Sequence, residues 1–380
     1  MARPMRPKAD AGADTPLAAL AASLPATVPF VGPEAQERSM GRRFDARLGA
    51  NESVFGPSPR ALEAIAGCGV WMYGDPEAHD LRRALAERHG AGIGNVVVGE
   101  GIDGLLGTLV RLTVEPGVSV VTSAGAYPTF SYHVRGFGGV LRTVPYRGDR
   151  EDPEALLACA GEVGARLIYL ANPDNPMGSW HDAAAVEAMI ERLPRGCILV
   201  LDEAYADTAP PGAVPRVDLA KPVVRMRTFS KAHGLAGIRI GYAIGPETLI
   251  GAFDRVRNHF GVSRPAQAAA LASLRDGAHL AATVTRIAGA RERIATIVER
   301  HGLRALPSAT NFVAVDCGSD GAFARAVLDG LAARGVFVRM PAVPPLDRCI
   351  RVSAGNSQDL DRLDAALGPA LVDAGSRRVD

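Results

Sequence analysis

The chain has 380 residues, of which 47% are hydrophobic and 22% charged, so it can bury a sizeable core and does not have the composition of a disordered chain. Its formal net charge is +1 with both signs interspersed, so no basic stripe indicates a nucleic acid or an anionic membrane as a partner. No stretch approaches the roughly 20 apolar residues of a membrane-spanning helix, and we expect no membrane association.

The N-terminal residues 1–45 are rich in alanine and proline, and we expect them to form an arm outside the folded domains. The apolar run at 17–24 is short, and Asp10 and Asp14 precede it, which is atypical of a signal peptide. Five cysteines are scattered without a C-x-x-C pair, so the sequence predicts no metal site and a reducing cytoplasm.

From about residue 95, short apolar runs alternate with longer helical patterns up to Gly261. Several of these runs lack polar alternation, as in strands that helices cover on both faces. The pattern therefore predicts a large α/β domain at 46–262 with a mainly parallel sheet.

Beyond that domain, the pattern changes to long helices over roughly 265–300. The strand-like stretches TNFVAVDC, VFVRM and CIRVSAG follow, with a last helix from Gln358. We expect a smaller α+β domain at 263–380, to which the first segment of the large domain also contributes.

A glycine-rich turn follows the first strand of the large domain. Gly99, Gly101 and Gly104 form G-x-G-x-x-G between a strand and a helix, the context of a dinucleotide fingerprint and hence of an NAD(P)-dependent oxidoreductase. The next strand, however, offers no acidic residue for a ribose. A plain tight turn is the other interpretation, and in either case a helix N-terminus of this kind suits a phosphate.

Polar groups also follow later strands. CILVLDEAY ends an apolar strand in Asp202, but the chain has no G-x-x-x-x-G-K-[ST] loop, which argues against an ATPase. A carboxylate at the carboxyl end of a parallel strand points into the ligand crevice of such sheets, although Asp202 could instead cap a helix. ANPDNPMG, at 171–178, is a turning loop with asparagine side chains available as hydrogen-bond donors.

Lysine is rare in this chain: only Lys8, Lys221 and Lys231 occur among 42 basic residues. Lys231 lies in TFSKAHGLAGIRIGY, directly after Ser230 and before Arg239, which we place on the next strand. Because a desolvated lysine can lose its proton and condense with a carbonyl, whereas arginine cannot, Lys231 is predicted to be present for amine chemistry.

Taken in order, these motifs resemble the fold-type I aminotransferases that use pyridoxal 5′-phosphate, class I/II, and most closely their histidinol-phosphate aminotransferase branch. GANESVFGPSPRALEAI, YGDPEAHDLRRALA and CIRVSAG resemble further segments of that branch, and the similarity covers about 48–365. The resemblance implies a large cofactor-binding domain with a mainly parallel, seven-stranded type of sheet flanked by helices, plus the smaller α+β domain.

The resemblance also implies roles around the cofactor ring. Lys231 would form the Schiff base and Asp202 would pair with the pyridine nitrogen. Asn175 and Tyr205 would hydrogen-bond the ring hydroxyl, and Tyr127 would stack on the ring. Lys231, Asp202 and Tyr205 are thus the implied catalytic residues. An anionic partner at the ring nitrogen favours the protonated ring, which stabilises a carbanion at the substrate Cα.

For the cofactor phosphate, the resemblance implies the backbone of Gly101, Ile102 and Asp103, with Ser230 and Arg239 beside it. These residues extend the phosphate interpretation of the glycine-rich turn.

Substrate and partner roles follow in the same way. Arg351 would bind the substrate carboxylate, with Asn51 and Arg339 as further pocket residues. Tyr73 would reach the active site of a neighbouring subunit, which implies a homodimer. The implied reaction moves an amino group between an L-amino acid or amine, with histidinol phosphate or an aromatic amino acid favoured, and 2-oxoglutarate. A decarboxylase or lyase on the same fold is the alternative within this cofactor class.

Three positions depart from the family pattern: Met177 replaces a usual threonine, Val54 a common proline, and Ile102 a small residue. These changes surround the predicted cofactor site without removing a catalytic group, so they bear on the choice of substrate more than on the chemistry.

Overall fold

A computed structural model describes residues 16–26 and 31–376, so the predicted N-terminal arm lies partly outside the described residues. The strands are β1 (Ala46–Arg47), β2 (Val96–Gly99), β3 (Ser119–Ser123), β4 (Val140–Val144), β5 (Leu167–Ala171), β6 (Ile198–Asp202), β7 (Val223–Thr228), β8 (Gly241–Ile244), β9 (Arg304–Ala305), β10 (Phe312–Asp316), β11 (Val336–Phe337) and β12 (Cys349–Ser353). The helices are α1 (Ala19–Ser23), α2 (Pro33–Met40), α3 (Pro59–Gly67), α4 (His79–His89), α5 (Gly101–Thr113), α6 (Pro128–Gly136), α7 (Pro153–Val163), α8 (Ala183–Glu191), α9 (Glu247–Ala252), α10 (Arg264–Leu274), α11 (Gly277–Arg300), α12 (Gly321–Ala333) and α13 (Ser357–Ser376).

A seven-stranded sheet, here called the large sheet, has the order β2-β8-β7-β6-β5-β3-β4. Strands β7, β6, β5, β3 and β4 are parallel, and β8 runs antiparallel to both of its neighbours. The predicted α/β fold with a mainly parallel sheet is confirmed. Every residue of β5 is buried, as expected for an apolar strand covered by helices on both faces.

Side-chain caps and prolines begin several helices around the large sheet. Asp152 accepts hydrogen bonds from the first backbone amides of α7, and Ser263 does the same for α10. Proline occupies an early position of both helices. A backbone N–H at that position has no hydrogen-bond partner within the helix, so its absence in proline costs no helical hydrogen bond.

The interpretation of the glycine pattern as a dinucleotide fingerprint is wrong for this topology. That motif requires a helix between two parallel strands of one sheet, in a βαβ unit. Here β2 pairs antiparallel with β8 at the edge of the large sheet, and β3, which follows α5, lies at the far side between β5 and β4.

Two smaller sheets lie in the C-terminal part of the chain. Strands β12, β10 and β9 form an antiparallel small sheet, and β1 pairs with β11 in a parallel two-stranded sheet. Helices α11, α12 and α13 bury a continuous apolar core with these strands. Through β1, the segment that precedes the large sheet in sequence joins this C-terminal layer.

Arg239 does not lie on a strand, contrary to our expectation. It precedes β8 with a left-handed backbone at φ 57°, after the short turn formed by residues 236–238. This conformation is uncommon for a residue with a Cβ and occurs where the surrounding structure fixes the chain.

In the described part of the chain, no helix is long and apolar enough to cross a membrane.

Candidate active site

A cavity of about 310 Å³ opens at the carboxyl ends of the central strands of the large sheet. Its floor includes the last residues of three parallel strands: Ala171 of β5, Asp202 of β6 and Thr228 of β7. This is the edge at which α/β sheets bind ligands. The predicted site residues on its walls are Ile102, Asp103, Tyr127, Asn175, Asp202, Tyr205, Ser230, Lys231 and Arg239.

Lys231 points its amine into this cavity from the turn after β7. Its Nζ donates a hydrogen bond of 3.1 Å to the backbone carbonyl of Asn51 and lies 5.6 Å from the centre of the Tyr205 ring. Burial, followed by the nearby cations Arg351 and Arg239, lowers the pKa of Lys231 to about 8. The amine therefore becomes an available nucleophile and base near neutral pH, as amine chemistry requires.

Asp202 is buried at the end of β6. Its Oδ2 accepts a hydrogen bond of 2.7 Å from the hydroxyl of Tyr169, and its Oδ1 accepts one of 2.9 Å from the amide of Ala204. Burial raises the pKa of Asp202 to about 6, while both hydrogen bonds oppose that rise. The carboxylate is thus kept ionised at neutral pH in a buried position.

Tyr169 is a functional candidate that the sequence analysis missed. It lies on β5, whose end pairs in register with the end of β6 through Ala171 and Asp202. The available signal was a tyrosine inside an otherwise apolar, fully buried strand, because a buried phenol normally has a hydrogen-bond partner.

Glu203, the second acid of the DEAY stretch, is not part of the cavity. It forms buried ion pairs with Arg225 and Arg227 of β7. Consecutive strand residues point to opposite faces, so Asp202 faces the cavity while Glu203 is paired within the protein on the other side.

The N-terminus of α5 forms a cup at one end of the cavity. Gly101 begins this helix at φ 79°, and a Cβ there would collide with the guanidinium of Arg239. Arg239 Nη1 lies 3.3 Å from the Ser230 hydroxyl, which also accepts from the Thr228 hydroxyl at 2.9 Å. Free helix amides, a guanidinium and a serine hydroxyl together form a donor set for a phosphate-like anion.

Asp103 and Tyr127 lie beside this cup. The Tyr127 hydroxyl donates a hydrogen bond of 2.8 Å to Asp103 Oδ1, and Asp103 Oδ2 is 3.7 Å from Arg239 Nη2. Burial, reinforced by the Asp103 charge, raises the pKa of Tyr127 well above its ordinary value, so the phenol stays neutral. The ring of Tyr127 is therefore held at the cavity wall by a bond at its far end.

Two predicted pocket residues, Arg351 and Arg339, do not line the cavity but lie together beside it, since Arg351 contacts Asn175 of its wall. Arg351, on β12, donates to the side-chain oxygen of Asn175 and, at 3.3 Å, to the carbonyl of Gly49. Arg339 pairs with Arg351 in an isolated backbone bridge, and its Nη2 donates to the Val31 carbonyl at 2.9 Å. Burial lowers the pKa of Arg351, and the Arg339 charge lowers it further, so two guanidinium groups share one partly buried region.

Asn51, predicted as a substrate-pocket residue, is buried with its side chain bonded within the protein. Its Nδ2 lies 2.9 Å from the Tyr205 hydroxyl and its Oδ1 lies 3.0 Å from the Ser353 hydroxyl. The neighbouring residues Ala50 and Glu52 line the cavity instead. Burial raises the pKa of Tyr205, which therefore stays a neutral phenol.

Tyr73 does not line the cavity of its own chain. Its side chain is 77% exposed, and its ring centre lies 4.8 Å from that of Phe260. Trp71 and Val70 next to it are 83% and 73% exposed. These side chains form an exposed apolar patch, which is uncommon on a protein that works as a monomer.

Two buried acids at the 171–178 loop also escaped the sequence analysis: Asp174 belongs to the loop, and Glu151 bonds to its first residue. Glu151 accepts from the Ala171 amide and the Ser123 hydroxyl, and Asp174 accepts from the Met177 amide and the Tyr146 hydroxyl. Burial raises the pKa of both carboxyl groups, of Asp174 to about 7. No sequence pattern signalled either, since each acquires its partners only in the folded chain.

The three departures from the family pattern have different surroundings. Met177 is only 1% exposed and packs with Leu306 and Leu346 in a small apolar cluster between the 171–178 loop and the small sheet. Ile102 lines the cavity, and Val54 is 41% exposed.

In the described residues, no group of three or more His, Cys, Asp or Glu side chains could hold a metal ion.

Comparison with known proteins gives a consistent result. Residues 46–367 match the family model for aminotransferase class I and II. The histidinol-phosphate aminotransferase of Roseiflexus castenholzii is 36% identical, covering 83% of this chain and 87% of that protein, and histidinol-phosphate aminotransferase 1 of Mesorhizobium japonicum is 34% identical, covering 86% and 90%.

Solved structures agree with these relatives. The histidinol-phosphate aminotransferase of Sinorhizobium meliloti, solved with pyridoxal 5′-phosphate, is 52% identical and superimposes with a TM-score of 0.92, covering 97% of this chain and 99% of that one. A double mutant of Thermus thermophilus aspartate aminotransferase, at 24% identity, a TM-score of 0.78 and coverage of 92% and 99%, shares the fold.

Proposed function

The chain belongs to the class I and II aminotransferases, and we propose that it moves an amino group between histidinol phosphate and 2-oxoglutarate with pyridoxal 5′-phosphate bound at Lys231. The observation that carries this proposal is the buried amine of Lys231, which lies in one cavity with the Asp202 carboxylate and the anion cup at α5.

The residues present fit this cofactor in three separate ways. The cup formed by the α5 N-terminus, Ser230 and Arg239 matches a phosphate, and the collision that a Cβ at Gly101 would cause shows how closely it is built. Asp202 supplies a buried carboxylate for the protonated ring nitrogen, and Lys231 supplies an amine for the aldehyde. When bound, pyridoxal phosphate withdraws electrons from the Cα of the amino donor and so makes its proton acidic.

The side chains of this chain then have distinct tasks. Once the amino donor has displaced it from the cofactor, the free Lys231 amine, with a pKa of about 8, would take the proton from the donor Cα and deliver it to the cofactor carbon C4′. Asp202 keeps the ring nitrogen protonated, and Tyr169 keeps Asp202 ionised. Tyr205 and Asn175 would hold the ring hydroxyl, and Tyr127 would pack against the ring.

The arginine pair supports a doubly charged substrate. Arg339 and Arg351 lie together. One guanidinium group can bind two oxygens of a phosphate or carboxylate at once. Histidinol phosphate carries a phosphate and no carboxylate, and 2-oxoglutarate carries two carboxylates, so the same arginines can serve both halves of the exchange. An aromatic amino acid, with a single carboxylate, leaves one of these charges unmatched.

We also propose a homodimer that buries the apolar patch of Val70, Trp71 and Tyr73, with Tyr73 contacting the cofactor phosphate of the partner subunit. Within each subunit, the proposed division is a large domain at 46–262 and a small domain at 263–380. The cavity is then lined by residues of the large domain, and the small domain contacts its wall where Arg351 of β12 bonds to Asn175.

A half-reaction screen tests the proposed donor. The protein, loaded with pyridoxal phosphate and free of any 2-oxo acid, is mixed with one donor at a time while the visible absorbance of the bound cofactor is followed. We expect histidinol phosphate to bleach it at low concentration, and histidinol, the matched donor without phosphate, to do so far less efficiently. Added 2-oxoglutarate should restore the absorbance and yield glutamate.

Two other outcomes have defined meanings. Bleaching by an aromatic amino acid at lower concentration than by histidinol phosphate would refute the proposed donor while leaving the aminotransferase chemistry in place. Release of carbon dioxide without glutamate formation would identify a decarboxylase on the same fold.

A further inference from the structure

Asn51 is at the centre of a closed set of hydrogen bonds that reaches two proposed catalytic groups. Its Nδ2 contacts the Tyr205 hydroxyl at 2.9 Å, and its backbone carbonyl accepts from Lys231 Nζ at 3.1 Å and from Asn311 Nδ2 at 2.9 Å. Its backbone amide and its Oδ1 both contact the Ser353 hydroxyl, each at 3.0 Å. Asn51 adopts a left-handed backbone at φ 55°, a conformation that asparagine tolerates better than most residues.

With the Asn51 amide oriented as in the structure, donor and acceptor chemistry fixes the direction of every bond in the set. The Asn51 backbone N–H can only donate, so the Ser353 oxygen accepts from it. The single proton of Ser353 is then directed to Asn51 Oδ1, which can only accept. This assignment leaves the amide Nδ2, which can only donate, facing the Tyr205 oxygen.

The consequence for Tyr205 concerns its own proton. Because the Tyr205 oxygen accepts from Asn51, the phenolic hydrogen is not used in that bond and is available toward the cavity that Tyr205 lines. Burial keeps the phenol neutral, so this hydrogen is present at working pH. With an acceptor in place of the amide, the same hydrogen would turn away from the cavity.

We propose that Asn51, oriented by Ser353, is a positioning residue that compels Tyr205 to act as a hydrogen-bond donor toward the ring hydroxyl of the cofactor. The proposal rests on the proposed function, in which that ring hydroxyl faces Tyr205. It changes the role expected for Asn51, which acts through Tyr205 and Lys231 and does not bind substrate. Since Ser353 lies on β12 of the small sheet and Tyr205 follows β6 of the large sheet, the same set of bonds also aligns the two sheets at the site.

The test compares two cofactors on the full-length chain stripped of its cofactor. One is pyridoxal 5′-phosphate and the other is 3-deoxypyridoxal 5′-phosphate, which lacks the ring hydroxyl. The preference, defined as the ratio of the two dissociation constants, isolates effects at the ring hydroxyl, because slight unfolding weakens both cofactors alike, and Tyr205→Phe shows the loss of the same bond without added charge. Asn51→Asp replaces the donor by an acceptor of the same shape, and we expect it to reduce the preference by about threefold to tenfold, the effect of one lost hydrogen bond.

Matched variants secure the interpretation. Tyr205→Phe should reduce the preference as much as Asn51→Asp does, because both remove the same bond. Ser353→Ala frees the amide to flip and should reduce the preference partly, whereas Ser353→Thr keeps the hydroxyl and should retain it. Circular dichroism of each stripped variant verifies that it is folded.

The possible failures can be told apart. An unchanged preference in Asn51→Asp, with a reduced one in Tyr205→Phe, would overturn the role of Asn51. An unchanged preference in both variants would overturn it too, since Tyr205 would then make no bond to the ring hydroxyl. Absence of any pyridoxal phosphate binding by the wild-type chain would instead refute the proposed function.

Discussion

The hydroxyl of Tyr169 donates a hydrogen bond of 2.7 Å to the buried carboxylate of Asp202, and the two residues lie on adjacent parallel strands of the large sheet. Burial alone would favour the protonated carboxyl group, and this bond opposes it. The sheet register therefore supplies the group that keeps the proposed partner of the ring nitrogen charged.

Removing that hydroxyl should weaken catalysis through Asp202. In Tyr169→Phe the pKa of Asp202 rises above its present value of about 6, so less carboxylate exists at neutral pH. We expect kcat to fall about tenfold at pH 7 and to recover partly at higher pH, with the acid limb of the kcat profile displaced upward. Tyr242→Phe is the control, because that buried phenol contacts His89 and not Asp202. An acid limb at the same pH in Tyr169→Phe and wild type would contradict this role.

The arginine pair should distinguish donors by their phosphate. Arg339→Lys and Arg351→Lys each keep the charge but lose the planar fork, so we expect kcat/KM for histidinol phosphate to fall about tenfold to a hundredfold. The kcat/KM for histidinol should change far less. Arg348→Lys serves as the control, because Arg348 pairs with Asp149 and Asp316 away from the cavity. Equal losses for both donors would show that the pair does not bind the phosphate.

The buried carboxyl group of Asp174 should make stability depend on pH. Its folded pKa of about 7 lies above the unfolded value of about 3.9, so its relative contribution to stability is greatest below pH 4 and is lost as pH rises toward 7. Asp174→Asn cannot ionise and should raise the free energy of unfolding by about 1–2 kcal/mol at pH 8, with a smaller gain at pH 4. Urea unfolding at both pH values measures it, with the exposed Asp80→Asn as control. A gain that is larger at pH 4 would refute the prediction.

The exposed apolar patch should form the proposed dimer interface. Trp71→Glu introduces a charge in place of an indole that the dimer would bury. We therefore expect sedimentation to show monomers and the affinity for pyridoxal phosphate to fall. Val372→Glu changes another exposed apolar side chain, on α13, and should leave the dimer intact. A wild-type chain that sediments as a monomer, or a dimer that survives Trp71→Glu, would exclude this interface.

Much of the site could be predicted because its residues follow the carboxyl ends of parallel strands. Asp202 is the last residue of β6, Lys231 follows the end of β7 by three residues and Asn175 follows the end of β5 by four. The ends of these neighbouring parallel strands meet at one edge of the sheet. Their positions in the sequence therefore determine that they converge, whatever the details of packing.

The remaining features depend on tertiary contacts that no local pattern encodes. Tyr169 reaches Asp202 only through the pairing of β5 with β6, and Asn51 meets Ser353 from 302 residues away. Arg239 was expected on a strand, but it adopts a left-handed backbone before β8. In this position its guanidinium lies against Gly101 and the Ser230 hydroxyl. The glycine pattern suggested a dinucleotide site for the same reason: the motif indicates such a site only when the strands on either side of its helix are parallel neighbours, and the sequence does not show which strands pair.

The proposed bond between Lys231 and the cofactor can be examined by a labelling experiment. The loaded protein is treated with borohydride, which makes the bond between lysine and cofactor permanent, and the labelled peptide is identified by mass spectrometry. We expect the label on Lys231 and none on Lys221, whose amine pairs with Glu191 at the surface. A label on Lys221 or on Lys8, or no labelled lysine at all, would contradict it.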